Sequence, residues 1–308
     1  MNDKSLSNDQ PVVAITKLSR HFGEKAALAD VSLAVPRGMV FGLVGTNGAG
    51  KTTLIKHVLG LLRAQTGRVA VFGLDPVANP TSVLSRIGYL SEVHELPEWM
   101  RVDELLRFTR AFYPTWDESY AQSLRQTFEL EGGRAVKDLS KGQHARLGLV
   151  LALAHRPELL VLDEPSSGLD PLVRRDILRA IIRTIADEGR TVLFSSHLLD
   201  EVERVADHVA IIEHGRIIEN DRLESLKDKF HKVVVRFEAA LASPPKVNGF
   251  FDWQGGDTHW QAFFRGASEE AERHAARLHG TVLERRTPSL EEIFVALLGA
   301  ERGADRPS

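Results

Sequence analysis

The stretch from Met39 to Leu62, MVFGLVGTNGAGKTTLIKHVLGLL, decides how the whole chain is read. Its apolar beginning, Met39 to Val44, has the length and side-chain character of a buried strand. GTNGAGKTT follows at Gly45 to Thr53 and fits the pattern G-x-x-x-x-G-K-[ST]. Apolar residues at helical spacing come next. Strand, glycine-rich turn and helix in that order are the setting in which this pattern holds phosphate. The amides of the turn and the helix N-terminus present partial positive charge to phosphate oxygens. Gly45, Thr46, Asn47, Gly48, Ala49, Gly50, Lys51, Thr52 and Thr53 are therefore the expected nucleotide-binding residues. Lys51 should reach the β- and γ-phosphates, and the Thr52 hydroxyl should ligate Mg²⁺.

A second apolar run, LLVLDEP at Leu159 to Pro165, ends in two adjacent carboxylates. Asp163 is expected at the strand end as an acidic partner of Mg²⁺, directly or through an intervening ligand. Glu164, one residue on, is placed to polarise a water for attack on the γ-phosphate. A third run, TVLFSS, leads into His197. A histidine leaving the sheet edge there can hydrogen-bond the γ-phosphate and hold the attacking water. Lys51, Glu164 and His197 are thus the expected catalytic set.

Outward from these motifs, short β-rich runs alternate with helical patterns from Val12 to about Asn220. RVAVFG and HVAIIEHG are further strands of this series. Such alternation predicts an α/β fold around a parallel sheet covered on both faces. The opening strands VVAITKLSR and ALADVSLAV have no helix between them and predict an antiparallel β flank. The helical stretch from about 92 to 155 reads as a subdomain inserted between two strands. After Phe230 the pattern restarts with KVVVRFEAAL, and PSLEEIFVALLG carries a capping box at Ser289 and Glu292. The expected organisation is a flexible tail over 1–11, an ATPase domain over 12–230, a small α+β accessory domain over 231–300, and a second tail over 301–308.

Composition excludes several classes. With 43% hydrophobic and 26% charged residues the chain is an ordinary globular one, not a disordered one. A net charge of −3 argues against a surface dominated by attraction to nucleic acid, and no nucleic-acid partner is expected. The absence of cysteine removes disulfides and zinc–thiolate sites. The longest apolar run, LGLVLALA, is far short of the roughly 20 residues that cross a bilayer as a helix. The polar start lacks the apolar core of a signal peptide. If the protein works at a membrane, a partner must hold it there.

LSKGQ, at Leu139 to Gln143, raises a separate question. Ser140 and Gln143 make a capping box, yet Gly142 sits inside the first helical turn, where it costs about 1 kcal/mol relative to alanine. GTNGAGKTT, LSKGQ, LLVLDEP, SSGLD and the SSH ending at His197, in that order, resemble the nucleotide-binding subunit of an ABC transporter, with a P-loop NTPase core. The likeness covers about Val12 to Leu226. The terminal helix resembles that of ATP-binding subunits of bacterial export systems.

The resemblance implies two cassettes packed head to tail, as a homodimer or with a paralogue, with ATP and Mg²⁺ between them. Ser140, Gly142 and Gln143 of one cassette would then close on ATP held by the other, Gly142 leaving room for the approach. Asp170 would belong to the loop linking the two composite sites. Phe22 falls where an aromatic ring stacks on adenine, the other reading being a buried core aromatic.

Lys141 and Glu92 depart from the family pattern. Lys141 replaces a glycine and is harmless if it points to solvent. Glu92 stands at the usual glutamine and is expected as a metal-side ligand or a hinge, against a plain surface glutamate. In VHELPEWM, Val93 to Met100, the residues Trp99 and Met100 either line the groove that takes a coupling helix of the membrane subunit or pack the subdomain's own core. The implied protein is an ATPase on the cytoplasmic face of the membrane, energising a separate transmembrane permease, an exporter. The alternatives are a non-transport ABC ATPase acting on ribosomes or DNA and a regulatory nucleotide sensor.

Overall fold

The computed structural model describes residues 10–304 apart from 94, 187–188 and 246. The chain divides into two compact units, one up to Asn220 and one from Asp221.

The first unit opens with β1 (Val13–Phe22) and β2 (Lys25–Val35), which pair antiparallel. Next come β3 (Val40–Val44), α1 (Lys51–Val58), β4 (Thr66–Val71), α2 (Pro80–Leu84) and β5 (Ile87–Leu90). Three helices follow: α3 (Val102–Arg110), α4 (Glu118–Thr127) and α5 (Lys141–Leu153). The remainder is β6 (Leu159–Asp163), α6 (Pro171–Ala186), β7 (Thr191–Ser196), α7 (Leu199–Val205), β8 (His208–Glu213) and β9 (Arg216–Arg222), the last running two residues past the unit boundary.

Two sheets form. The larger has the order β5-β6-β7-β3-β8-β9, with β5, β6, β7, β3 and β8 mutually parallel. The smaller is antiparallel, in the order β2-β1-β4. RVAVFG does not join the parallel series that the sequence suggested. Its strand, β4, pairs antiparallel with β1, Val13 facing Val71. Alternation along the chain announces a strand but not the sheet it enters.

Helix α1 is buried between the two sheets. Its Leu54, Ile55 and Val58 share one core with Leu43, Val161 and Ile212 of the large sheet and with Leu18, Leu28 and Val31 of the small one. Each such side chain contributes roughly 1.5–3 kcal/mol on full burial, so the phosphate-loop motif is rooted in a core shared by both sheets. The turn into α1 requires a glycine. Gly50 has φ 117, and a Cβ there would lie 2.7 Å from the Ala27 carbonyl oxygen.

The large sheet positions the motifs. β3, β6 and β7 lie side by side and end together, with Asp163 opposite Ser195 and Val44 opposite Ser196. In parallel sheets of this kind, ligands bind beyond the carboxyl ends of the strands.

The second unit contains α8 (Leu223–Lys229), β10 (Phe230–Leu241), β11 (Phe250–Arg265), α9 (Ser268–Ala276), β12 (Gly280–Arg286) and α10 (Leu290–Ala304). Its three strands form an antiparallel sheet in the order β11-β10-β12. Val233, Val235, Phe237, Trp260 and Phe264 pack there with Ala271 and Ala275 of α9. The division at Asn220 comes earlier than the sequence boundary at 230/231 because α8 packs on β10. Ser289 and Glu292 form the capping box of α10: Glu292 N–H donates to Ser289 Oγ at 3.2 Å, and Ser289 N–H to Glu292 Oε2 at 3.1 Å. The tail assigned to 1–11 lies outside the described residues as far as residue 9. Helix α10 continues to Ala304, and residues 305–308 lie outside them too.

Candidate nucleotide-binding site

The loop between β3 and α1 is closed from within by Lys51. Its buried Nζ donates to the Gly45 carbonyl at 2.6 Å and to the Thr46 carbonyl at 3.1 Å, and lies 2.9 Å from Glu164 Oε1. Glu164 Oε1 has no directed hydrogen bond, so its negative charge is met by the ammonium as an ion pair. The other oxygen, Oε2, accepts from the His197 backbone N–H at 3.2 Å and faces His197 Nδ1 at 2.6 Å. Lys51, Glu164 and His197 thus form one continuous chain of polar contacts at the strand ends.

Ser195 binds the two acidic residues together. Its hydroxyl donates to Asp163 Oδ1 at 2.7 Å and accepts from the Glu164 N–H at 2.9 Å. Burial pushes the Asp163 carboxyl above its ordinary value; hydrogen bonds from Ser195 and Thr52 oppose this, and the charges of Glu164 and Glu92 reinforce it. Thr46 is fixed by a further buried carboxylate, its hydroxyl donating to Glu213 Oε2 at 2.8 Å. Neither Ser195 nor Glu213 was assigned from the sequence. The serine had a signal, standing in the SSH run itself. The glutamate had none, since its partner is 167 residues away.

Thr52 faces Asp163 and helps hold its carboxyl down against the effect of burial. A hydroxyl and a carboxylate are hard donors of the kind Mg²⁺ takes when phosphates and water complete its shell. Among the described residues no group of three His, Cys, Asp or Glu side chains could cage a metal alone. The donor set therefore fits an ion held jointly with a nucleotide.

A second cluster lies at the heads of α5 and α6. Ser140 Oγ accepts from Gln143 N–H at 3.2 Å, and Gln143 Oε1 from Ser140 N–H at 3.0 Å, so the capping box is formed. Asp170 caps α6 by accepting from the N–H groups of Leu172 and Val173 at 2.9 and 3.1 Å. Gly142 has an explanation inside the chain that the sequence did not supply. A Cβ at this position would stand 2.7 Å from Val173 Cγ2 of α6. The missing side chain lets α6 pack on α5, whatever else approaches this surface. Lys141 does not simply point away; its Nζ lies beside Gly168, 2.5 Å from where a Cβ would be.

The surroundings of three further residues bear on their alternative readings. Phe22 is 48% exposed, with the Arg20 guanidinium 4.8 Å from its ring centre, so it is no core aromatic. Glu92 is exposed and accepts from Ser167 Oγ at 3.3 Å, close enough for its charge to act on Asp163. Met100 is 7% exposed and packs in the subdomain, whereas its neighbour Trp99 is 79% exposed.

A cleft of about 360 Å³ opens elsewhere on the first unit, lined by Leu59, Leu61, Leu84, Tyr89, Thr109 and Tyr113. Leu61, Leu84, Phe108 and Phe112 are exposed. Tyr89 is pushed up to about 12 by burial and by the charge of Asp163, so this cleft wall lies within the field of the acidic strand end.

Residues 28–167 match the family ABC_tran, ABC transporter. The chain is 33% identical over 311 residues to the Nod factor export ATP-binding protein I of Sinorhizobium fredii, covering 97% of this chain and 90% of that protein. It is 29% identical to the bacitracin transport ATP-binding protein BcrA of Bacillus licheniformis, covering 94% and 97%. Among solved structures, an ATP binding subunit of an ABC transporter superposes with a TM-score of 0.65 at 29% identity, covering 70% of this chain and 92% of that one. The protein binds and hydrolyses ATP, and it belongs to the family of ABC transporter ATP-binding proteins.

Proposed function

We propose that this chain is the ATP-hydrolysing subunit of an export-type ABC transporter, working as a head-to-tail pair on the cytoplasmic face of the membrane beneath a separate permease. The observation that carries the reading is the Lys51–Glu164–His197 chain, set where the phosphate loop and two strand ends converge. In this reading the γ-phosphate of ATP replaces Glu164 as the counter-ion of Lys51. The freed carboxylate then orients the attacking water. His197, held through Nδ1 by Glu164 in this structure, presents its other ring nitrogen towards the phosphate.

Thr52 and Asp163 would hold Mg²⁺, with Glu92 adding negative charge nearby. When bound, the ion supplies charge neutralisation to the β- and γ-oxygens. Phe22, exposed at the end of β1, stacks on adenine. Across the pair, Ser140, Gly142 and Gln143 bring the positive end of α5 to the partner's γ-phosphate, with Asp170 in the loop between the two sites.

Among the described residues no helix is long and apolar enough to cross a membrane, so the translocation path lies in another subunit. The cleft with exposed Leu61 and Leu84 is the docking surface assigned to it, since exposed apolar groups lining a cleft mark partner sites. Export is supported by the relative named for Nod factor export.

The test is purification of tagged Glu164→Gln protein with ATP and Mg²⁺ from gently solubilised cells. A polytopic membrane protein should accompany it in stoichiometric amount, and should be lost when Leu61 and Leu84 are both changed to serine while ATP binding persists. Ribosomes or DNA-bound proteins in place of a membrane subunit would overturn the reading.

A further inference from the structure

The loop from Asp163 to Asp170 is tied to the segment from Ser195 to Glu201 at three successive levels. Ser195 joins Asp163 and the Glu164 amide, and His197 joins the Glu164 carboxylate. At the third level the Ser166 hydroxyl donates to Glu201 Oε2 at 2.5 Å. The first two levels involve groups assigned to nucleotide chemistry. The third does not.

Glu201 is 6% exposed and Ser166 3%. Burying a carboxylate is costly unless it is well paired, and among the described residues its ion-pair partner is Arg174, with Nε at 4.0 Å, the limit of such a pair. Burial accordingly pushes the Glu201 carboxyl up. An apolar residue would fill the same space on α7 without that cost. Packing therefore does not account for a glutamate here; a directed bond to the loop does.

The loop needs holding. Glu164 has φ 48, a strained left-handed backbone that side-chain-bearing residues keep only where their surroundings enforce it. Two short turns follow, Ser167 N–H to the Glu164 carbonyl at 3.1 Å and Leu169 N–H to the Ser166 carbonyl at 3.2 Å. Ser166 is the residue from which both can be pinned. Glu201 pins it from the same helix, α7, that begins two residues after His197.

We propose that Glu201 is a positioning residue for hydrolysis: by holding Ser166 it fixes the strained turn at Glu164 against His197. The inference rests on the assignment of Glu164 and His197 under the proposed function. A carboxylate or an amide oxygen can both accept from Ser166, so glutamine should substitute for Glu201 and alanine should not.

The experiment compares the full chain with Glu201→Ala, Glu201→Gln and Ser166→Ala in steady-state hydrolysis of ATP with Mg²⁺, alongside hydrogen exchange of peptides spanning Glu164 to Asp170. Displacement of an attacking group by about 1 Å costs up to about 100-fold, so Glu201→Ala and Ser166→Ala should lower kcat at least about 10-fold while KM for ATP stays within about 3-fold. Glu201→Gln should restore kcat to within about 3-fold of wild type. Exchange in the loop should accelerate in both alanine variants and stay slow in Glu201→Gln, a readout that needs no turnover.

Unchanged kcat and unchanged loop exchange in Glu201→Ala would overturn the proposal. So would a loss of kcat and ATP affinity in step with folding stability, not restored by glutamine, which would make Glu201 purely structural. Glu164→Gln serves as the control. If it turns over at the wild-type rate, the parent assignment fails; if it is inactive while Glu201→Ala is normal, this inference alone fails.

Discussion

Replacing Gly142 with alanine separates two reasons for a glycine in the first turn of α5. The added Cβ would sit 2.7 Å from Val173 Cγ2, about 1 Å inside the usual carbon–carbon contact of about 3.5–4.0 Å. Val173 is buried in the first turn of α6, directly after the cap made by Asp170, and has little room to retreat. Overpacking of this kind costs about 1–3 kcal/mol, while alanine recovers about 1 kcal/mol of helix propensity. The net expectation is a destabilisation of up to about 2 kcal/mol. Val173→Ala alone should cost about 1.5 kcal/mol for its lost apolar groups.

The pair is the decisive variant. With Val173 shortened the clash disappears, so the double mutant should be more stable than the two single effects predict by at least about 1 kcal/mol. Calorimetry of the full chain measures this, the relevant transition being the one that ATP with Mg²⁺ shifts upward. Additivity within about 0.5 kcal/mol would refute the packing explanation. A Gly142→Ala protein of unchanged stability that no longer hydrolyses ATP, and is not rescued by Val173→Ala, would instead show that the glycine serves only the approach of another molecule.

Lys51→Met removes the cation from a buried ion pair, so it should abolish measurable ATP binding by calorimetric titration and destabilise the first unit by about 3–5 kcal/mol. Met100→Ala should cost about 2–4 kcal/mol in thermal unfolding, whereas Trp99→Ala should stay within about 0.5 kcal/mol; the reverse order would show that the two residues had been placed the wrong way round. In the second unit, hydrogen bonds from Arg286 hold the Glu292 carboxyl well below its ordinary value of 4.5, with help from Lys232. Because the folded state binds this proton more weakly, the stability it contributes is complete above that ordinary value and is lost as pH falls through the folded one. The melting advantage of wild type over Glu292→Gln should therefore shrink between about pH 5 and about pH 2, and a constant gap across that range would contradict the assignment.

The features legible in the sequence are those written in consecutive residues. The phosphate loop needs its glycines, lysine and threonine within nine positions, and both capping boxes need partners three residues apart. The acidic pair after β6 was visible because an apolar strand ends abruptly in charge. What escaped depends on contacts between distant segments. The sheet entered by β4, the meeting of Gly142 with Val173, and the hold of Glu213 on Thr46 leave no local pattern. Ser166 and Glu201 lie 35 residues apart, each unremarked in its own stretch. Trp99 and Met100 are neighbours in a loop without periodicity, so nothing in the sequence indicates which of them turns inward.

The central claim is that ATP closes two copies of this fold over shared sites that Glu164 must reopen by hydrolysis. The direct test is the mass in solution of the full-length Glu164→Gln protein, by light scattering, with ATP and Mg²⁺ and then with ADP. The account predicts twice the 34.2 kDa of the chain with ATP and a return to 34.2 kDa with ADP. A mass of 34.2 kDa in both nucleotides, with ATP demonstrably bound, would contradict it.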